Sequence, residues 1–342
     1  MNWKPSATLQ AWKDRQDLVQ KIRSFFMSKS VLEVDVPTMS RAMGTDPHLD
    51  YFETRYNIDG AQNEHDKETH LANKQARRFL TTSPEFHLKR LLAAGFPDIY
   101  YLGHAFRNGE VGDRHNCEFT ILEWYRLGMD WYKLMDEVAS LCARLSEGLT
   151  SHGAQLARQP LQYLTWRDAY QKHVGFDPIH ATLTDMQFAA RQNEISLPQN
   201  LDRAEILDAL MVLAIEPRLG KDGPEFLCAY PAEQAALAQV EIDNAGQQIA
   251  RRFELYLDGV ELCNGYQELS DANEQKQRFT RDLEIRAELK KAQPPIDQNF
   301  IAALQHGLPA CSGVALGVDR LVMLLLGKKS LSNVLLFPDE RA

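Results

Sequence analysis

Apolar residues recur at helical spacing almost from the start of the chain. Leu9, Trp12, Leu18, Ile22, Phe25 and Phe26 line one stripe of residues 8 to 29 with charged positions between them, which predicts an amphipathic helix. "VLEVDVPTMS" then reads as a strand with a proline stop at Pro37. From about 54 to 78 the pattern turns polar and charged, which reads as a surface excursion rather than a domain boundary. In "TTSPEFHLKRLLAAG" a second helix is expected, with Ser83 as N-cap, Pro84 in its first position and Gly95 past its end.

The period then falls to two. "DIYYLGHAF" and "CEFTILEWY" alternate as strands do, and predict an antiparallel pair joined by a long loop. Residues 130 to 220 read as mostly helical, broken near Pro178, Pro198 and Pro217. Beyond them come "EFLCAY", the hairpin "RFELYLDGVELCNGY", a charged helix over 271 to 291, a "QPPIDQN" break and a last, glycine-containing helix. Hairpins with helices packed against them predict an α+β fold around an antiparallel sheet.

Alternation also says which side chains share a face. Asp258-Gly259 is a strong two-residue turn signal, so Leu257 should pair with Val260 and Tyr256 with Glu261. Phe253, Leu255, Leu257, Val260 and Leu262 then occupy one face, and Glu254, Tyr256, Glu261 and Cys263 the other. A solvated polar face accounts for the two glutamates. A pair of carboxylates is also what Mg²⁺ needs when a substrate's phosphates supply its other ligands. The same parity aligns Phe119, Ile121, Glu123 and Tyr125, and in the partner strand Tyr101, Gly103, Ala105 and Arg107. Cations gather at one end of this sheet: Arg107, Arg114 and His115 fall within "FRNGEVGDRHNCEFTILEWY", and Arg320 within "SGVALGVDRLVMLLLG".

Bulk composition narrows the function. The 342 residues are 44% hydrophobic and 25% charged, enough for a sizeable core. A formal charge of -9 gives no broad basic footprint for nucleic acid, so any phosphate chemistry must be local. Cysteines 117, 142, 228, 263 and 311 form no CxxC pair, and the first residues contain no apolar signal segment, which predicts reduced thiols and a cytoplasmic location. "GVALGVDRLVMLLLG" is interrupted by Asp319 and Arg320 and is too short to span a bilayer.

Jointly these segments resemble the class II aminoacyl-tRNA synthetases. "FRNGEVGDRHNCEFTILEWY" resembles motif 2, "GVALGVDRLVML" motif 3, and the strand ending at Pro37 motif 1, while "SPEFHLKRL" and "VELCNGYQELSDANEQKQRF" resemble the lysine-specific branch. The resemblance implies that Arg107 holds the α-phosphate and the amino-acid carboxylate, that His115 and Arg320 hold the γ-phosphate, and that Phe119 stacks on adenine. Asn108, Arg114, Asn116 and Gly317 would complete the ATP cradle, and Glu254 and Glu261 would bind Mg²⁺ with the phosphates. In the lysine pocket it implies Glu85 for the backbone-side amine, Asn264 for the carboxylate, Glu268 with Tyr125 for the distal ammonium, and Glu123 and Tyr266 as walls.

Lysyl-tRNA synthetases carry an anticodon-binding domain ahead of this core, and here the first helix begins within about ten residues of Met1. The expectation is therefore a single catalytic domain over 1–342, similar to the elongation factor P-lysine ligases, truncated paralogues that use ATP to place (R)-β-lysine on a lysine of elongation factor P and not on tRNA. A free-standing enzyme acting on tRNA and a non-catalytic nucleotide-binding regulator are the alternatives. The motif 1 segment implies a homodimer. Gly109 stands where the family usually has glutamate, with Glu110 following, and Cys117 where it usually has proline. Cys263, on the acid-bearing face by parity, is expected to intrude on α-lysine and tolerate β-lysine.

Overall fold

The computed structural model describes residues 3–55, 77–198 and 200–342; most of the polar excursion expected over 54 to 78 lies outside the described residues. Twelve strands appear among them: β1 (Leu32–Glu33), β2 (Met39–Ser40), β3 (Glu53–Arg55), β4 (Arg77–Leu80), β5 (Ile99–Phe106), β6 (Glu118–Leu127), β7 (Gln162–Thr165), β8 (Glu225–Pro231), β9 (Val240–Ile242), β10 (Gln248–Leu257), β11 (Val260–Gln267) and β12 (Cys311–Gly317). Nine of these form one sheet in the order β1-β5-β6-β12-β11-β10-β8-β7, with β9 on β10, while β2, β4 and β3 make a small second sheet. The ladder is antiparallel from β5 to β8, and only the outer pairs β1 with β5 and β7 with β8 run parallel.

Strand alternation splits the core between the two faces of the sheet. Leu122 and Trp124 of β6 and Phe253, Leu255 and Leu257 of β10 point to one face, where the Leu9–Ser28, Trp131–Ser146 and Val318–Leu325 helices cover them. Ile121 and Tyr125 point to the other, under the Glu85–Ala93 and Gln298–Gly307 helices. Further along that second face, Ala250 and Tyr256 pack with the Trp166–Val174, Leu183–Gln192 and Arg203–Leu210 helices. The second face thus carries two separate apolar clusters, and the cavity described below lies on that face.

Three sequence expectations change. "VLEVDVPTMS" yields only the two-residue pieces β1 and β2: it runs beside β5 through Leu32 and Glu33, with a last bond from the Val34 amide to the Tyr100 carbonyl, and pairs with β4 only from Met39 on. The glycine-rich tract before Arg320 is strand β12, inserted between β6 and β11, rather than part of a helix. Packing requires its first glycine: a Cβ on Gly313 would lie 2.3 Å from the Tyr125 ring and 2.4 Å from Glu268 Oε1. The helix after Ser83 begins at Glu85 with Pro84 at its N-cap, one residue later than expected, although Ser83 Oγ still accepts the Glu85 amide at 3.1 Å.

Candidate active site

A cavity of 1080 Å³ opens on the second face, lined from β6, β10, β11 and β12, from the loop that follows β5 and from the Glu85–Ala93 helix. Its lining includes Arg107, Arg114, His115, Asn116, Phe119, Glu254, Glu261, Asn264, Tyr266, Gly317 and Arg320, together with Glu85, Glu123, Tyr125 and Glu268. The segments joined by resemblance therefore meet around one space. Asn108 is exposed beside it and donates its backbone amide to Asp50 at 2.9 Å.

The buried end is built on carboxylates. Glu123 and Tyr125 sit two apart on β6, so both face the cavity, and the tyrosine hydroxyl donates to Glu123 Oε1 at 2.8 Å while Ser83 Oγ donates to Oε2 at 2.7 Å. Burial, and then the charge of Glu85, push the Glu123 carboxyl up to about 8. Glu268 follows β11, and burial raises its carboxyl to about 7 despite the opposing pull of Lys89. Lys89 was not anticipated. It lies one turn after Glu85 on the same helix, only 1% exposed, with Nζ 2.5 Å from Glu85 Oε1 and 2.6 Å from Glu268 Oε2. Burial works against its charge, but Glu268 and Glu85 more than offset that and hold its pKa above the ordinary lysine value. A glutamate and a lysine at i,i+4 read as a surface pair in sequence, and nothing in the pattern marks this one as buried.

The hairpin supplies the second group of acids, with one correction to its register. Asp258 and Gly259 both have positive φ, 51° and 69°, which is the backbone of a tight two-residue turn, and the pairs Leu257 with Val260 and Tyr256 with Glu261 form as expected. A β-bulge next to Leu255 then shifts the ladder, so that Leu255 faces Cys263, Glu254 faces Asn264 and Arg252 faces Tyr266. Consequently Cys263, although it borders the cavity, turns its side chain to Leu255, Leu262 and Cys142 in the core and does not share a face with Glu261. The same shift leaves Asn264 opposite Glu254 and Tyr266 opposite Arg252, and both line the cavity. Glu254 is oriented by Arg252 Nη2 at 2.6 Å, the Tyr256 hydroxyl at 2.8 Å and Asn264 Nδ2 at 3.4 Å. The carboxyl of Glu261 is raised by desolvation and then by Glu254, the signature of two like charges that a cation would relieve. Glu216, ahead of the Pro217 break, joins them, and burial followed by those two charges raises it to about 7.

The open end carries the cations. Arg320, two residues into the helix after β12, donates Nε to the Arg114 carbonyl at 3.0 Å and Nη1 to the Glu261 carbonyl at 3.1 Å, and its Nη2 lies 2.6 Å from His115 Nε2. Burial and then the Arg320 charge lower the His115 pKa, so the neutral ring accepts that hydrogen bond. Arg114 is tied through Nη1 to the Gly259 carbonyl at 3.1 Å. Arg107 lies over the Phe119 ring, 5.1 Å from its centroid, 3.6 Å from Glu110, with Nε buried and without a hydrogen-bond partner among the described residues. Asn116 lines the cavity and also ties it together: its carboxamide donates to the Glu118 carbonyl at 2.7 Å and accepts the Asp339 amide at 2.9 Å, so it anchors the loop and the C-terminal segment. Gly317 caps the helix without crowding, since a Cβ there would approach no atom nearer than 3.9 Å.

The family model described as tRNA synthetases class II (D, K and N) matches residues 2–341. A relative from Hamiltonella defensa named elongation factor P--(R)-beta-lysine ligase is 46% identical over 346 residues, covering 100% of this chain and 98% of its own. Relatives of the same name from Salmonella paratyphi B and Salmonella enteritidis are each 44% identical over 342 residues, covering 99% of this chain and 98% of theirs. With one family model matched almost end to end and these identities over whole relatives, the chain belongs to the class II tRNA synthetases of the D, K and N type.

Proposed function

We propose that this chain is an ATP-dependent, AMP-forming ligase that activates (R)-β-lysine and transfers it to a lysine side chain of elongation factor P. One observation carries the reading: a single cavity joins a cationic end built for polyphosphate to a buried carboxylate end built for an amino acid with two ammonium groups. The relatives' shared name supports the choice of amino acid and acceptor. So does a net charge of -9, which suits a protein acceptor better than RNA, and no tRNA is expected to accept the amino acid.

In the first step the amino-acid carboxylate attacks the α-phosphorus of ATP, forming the acyl-phosphate bond and releasing pyrophosphate. Negative charge grows on the phosphoryl oxygens; Arg320, fixed beforehand by its hydrogen bonds, and Arg107, whose buried Nε has no partner of its own among the described residues, stabilise it. In the second step the ε-amine of the acceptor lysine attacks the acyl carbon, forming an amide and releasing AMP. Glu254 and Glu261 would hold Mg²⁺, whose double charge would neutralise the pyrophosphate oxygens. Their fit is chemical: hard oxygen donors, two like charges pressing on each other, and, among the described residues, no cluster of three or more side chains forming a complete cage. The wider reading includes a single catalytic domain over 1–342, a homodimer and a cytoplasmic location. No helix among the described residues is long and apolar enough to cross a membrane.

The test is transfer of labelled β-lysine, with ATP and Mg²⁺, to elongation factor P and separately to tRNA. Label on elongation factor P is expected. Label on tRNA alone would favour the synthetase reading, and label on neither acceptor would overturn the assignment.

A further inference from the structure

We propose that Lys89 is a positioning residue that sets the charge of the amino-acid end, leaving it matched to a ligand with two ammonium groups. The inference rests on the activation of a lysine-type amino acid proposed above. Three carboxylates, Glu85, Glu123 and Glu268, converge on this end from a helix, from β6 and from the segment after β11. Lys89 is bonded to two of them and is almost fully removed from water, so its charge belongs permanently to the pocket. Three carboxylates less one ammonium leave two negative charges. A lysine-type ligand brings two ammonium groups, while its own carboxylate is met at the other end by Arg107.

Geometry gives Lys89 a second effect. By bridging Glu85 and Glu268 it fixes the separation of the two carboxylates that would meet the two ligand amines. Without it they would be free to share a proton or swing apart. Among the described residues, the other titratable groups facing them are Tyr125 and Tyr266, both held neutral by burial, and Cys311, whose thiol burial also pushes up. None of these can replace the missing cation. Glu123 and Glu268 retain protons in the empty pocket near neutrality, so a diammonium ligand should expel them as it binds.

Isothermal titration of the full-length protein with β-lysine, in two buffers of different ionisation enthalpy, measures both affinity and protons released. Wild-type protein should release roughly one proton or more per ligand near pH 7 and should reject norleucine, which lacks the second ammonium. In Lys89→Met the β-lysine Kd should rise at least about tenfold, proton release should increase, and the ATP Kd should stay put. Lys89→Met combined with Glu85→Gln returns the pocket to two negative charges. This double variant should bind β-lysine more tightly than Glu85→Gln alone, a rescue that a purely structural role cannot produce. That comparison also serves if Lys89→Met by itself fails to fold. Wild-type affinity and proton release in Lys89→Met, or a double variant weaker than Glu85→Gln, would overturn the inference. Failure of wild-type protein to bind β-lysine would instead overturn the proposed function on which it rests.

Discussion

The two ends of the cavity solve opposite electrostatic problems. At the open end Arg320 and Arg114 are oriented mainly by backbone carbonyls, which leave a guanidinium its charge, and the one carboxylate that meets Arg320, Glu261, stands off at 3.4 Å. At the closed end Lys89 is anchored between the carboxylates of Glu85 and Glu268, and Glu123 between the hydroxyls of Ser83 and Tyr125. A polyphosphate arrives strongly charged and leaves as pyrophosphate and AMP, so it suits a partly hydrated site with fixed dipoles. An ammonium that must be stripped of water suits a buried carboxylate, because leaving it unpaired costs several kcal/mol. The comparison teaches that one reaction can be divided into a site that stabilises changing charge and a site that selects fixed charge.

The largest expected break is at the open end. Arg320→Ala removes a cation together with its ties to the Arg114 carbonyl, His115 and Glu261, and should lower the rate of ATP-pyrophosphate exchange by at least about a hundredfold, or ~3 kcal/mol. Next comes the closed end, where Glu268→Gln should raise the β-lysine KM by about thirtyfold, roughly 2 kcal/mol for a lost charged hydrogen bond, with little change in the KM for ATP. A smaller effect should come from pH. Raised carboxyls must ionise to receive ammonium groups, so affinity is complete only well above 8 and is lost as pH falls through the values near 8 and 7 of Glu123 and Glu268. Between pH 8.5 and 6.5 the β-lysine KM should rise by at least about tenfold, which initial-rate measurements would show. Smallest for selectivity is Cys263→Ala. With its thiol in the core, the substitution should cost roughly 1 to 2 kcal/mol of unfolding free energy by denaturant titration and leave the ratio of β-lysine to α-lysine use unchanged.

Local chemistry made much of this legible in the sequence. Asp-Gly between alternating runs specifies a tight turn, and alternation correctly placed Glu123 with Tyr125 and Glu254 with Glu261. What stayed hidden depends on partners distant in the chain. The bulge at Leu255 exists only in the ladder, and it alone moves Cys263 inward and Asn264 outward. Strand β12 reads as part of the last helix because its glycines weaken the strand signal, yet Gly313 is glycine because Tyr125 and Glu268 close over it. Lys89 and Arg90 are adjacent cations in "LKRL", and only the packing of that helix on the sheet decides that the lysine goes inside.

The most direct measurement of the division between the two ends is ATP-pyrophosphate exchange by Arg320→Ala and Glu268→Gln, with ATP and β-lysine varied in turn. The account predicts that Arg320→Ala loses turnover at saturating β-lysine, while Glu268→Gln loses β-lysine affinity and recovers most of its rate when saturated. Equal losses in both parameters for both variants would contradict it.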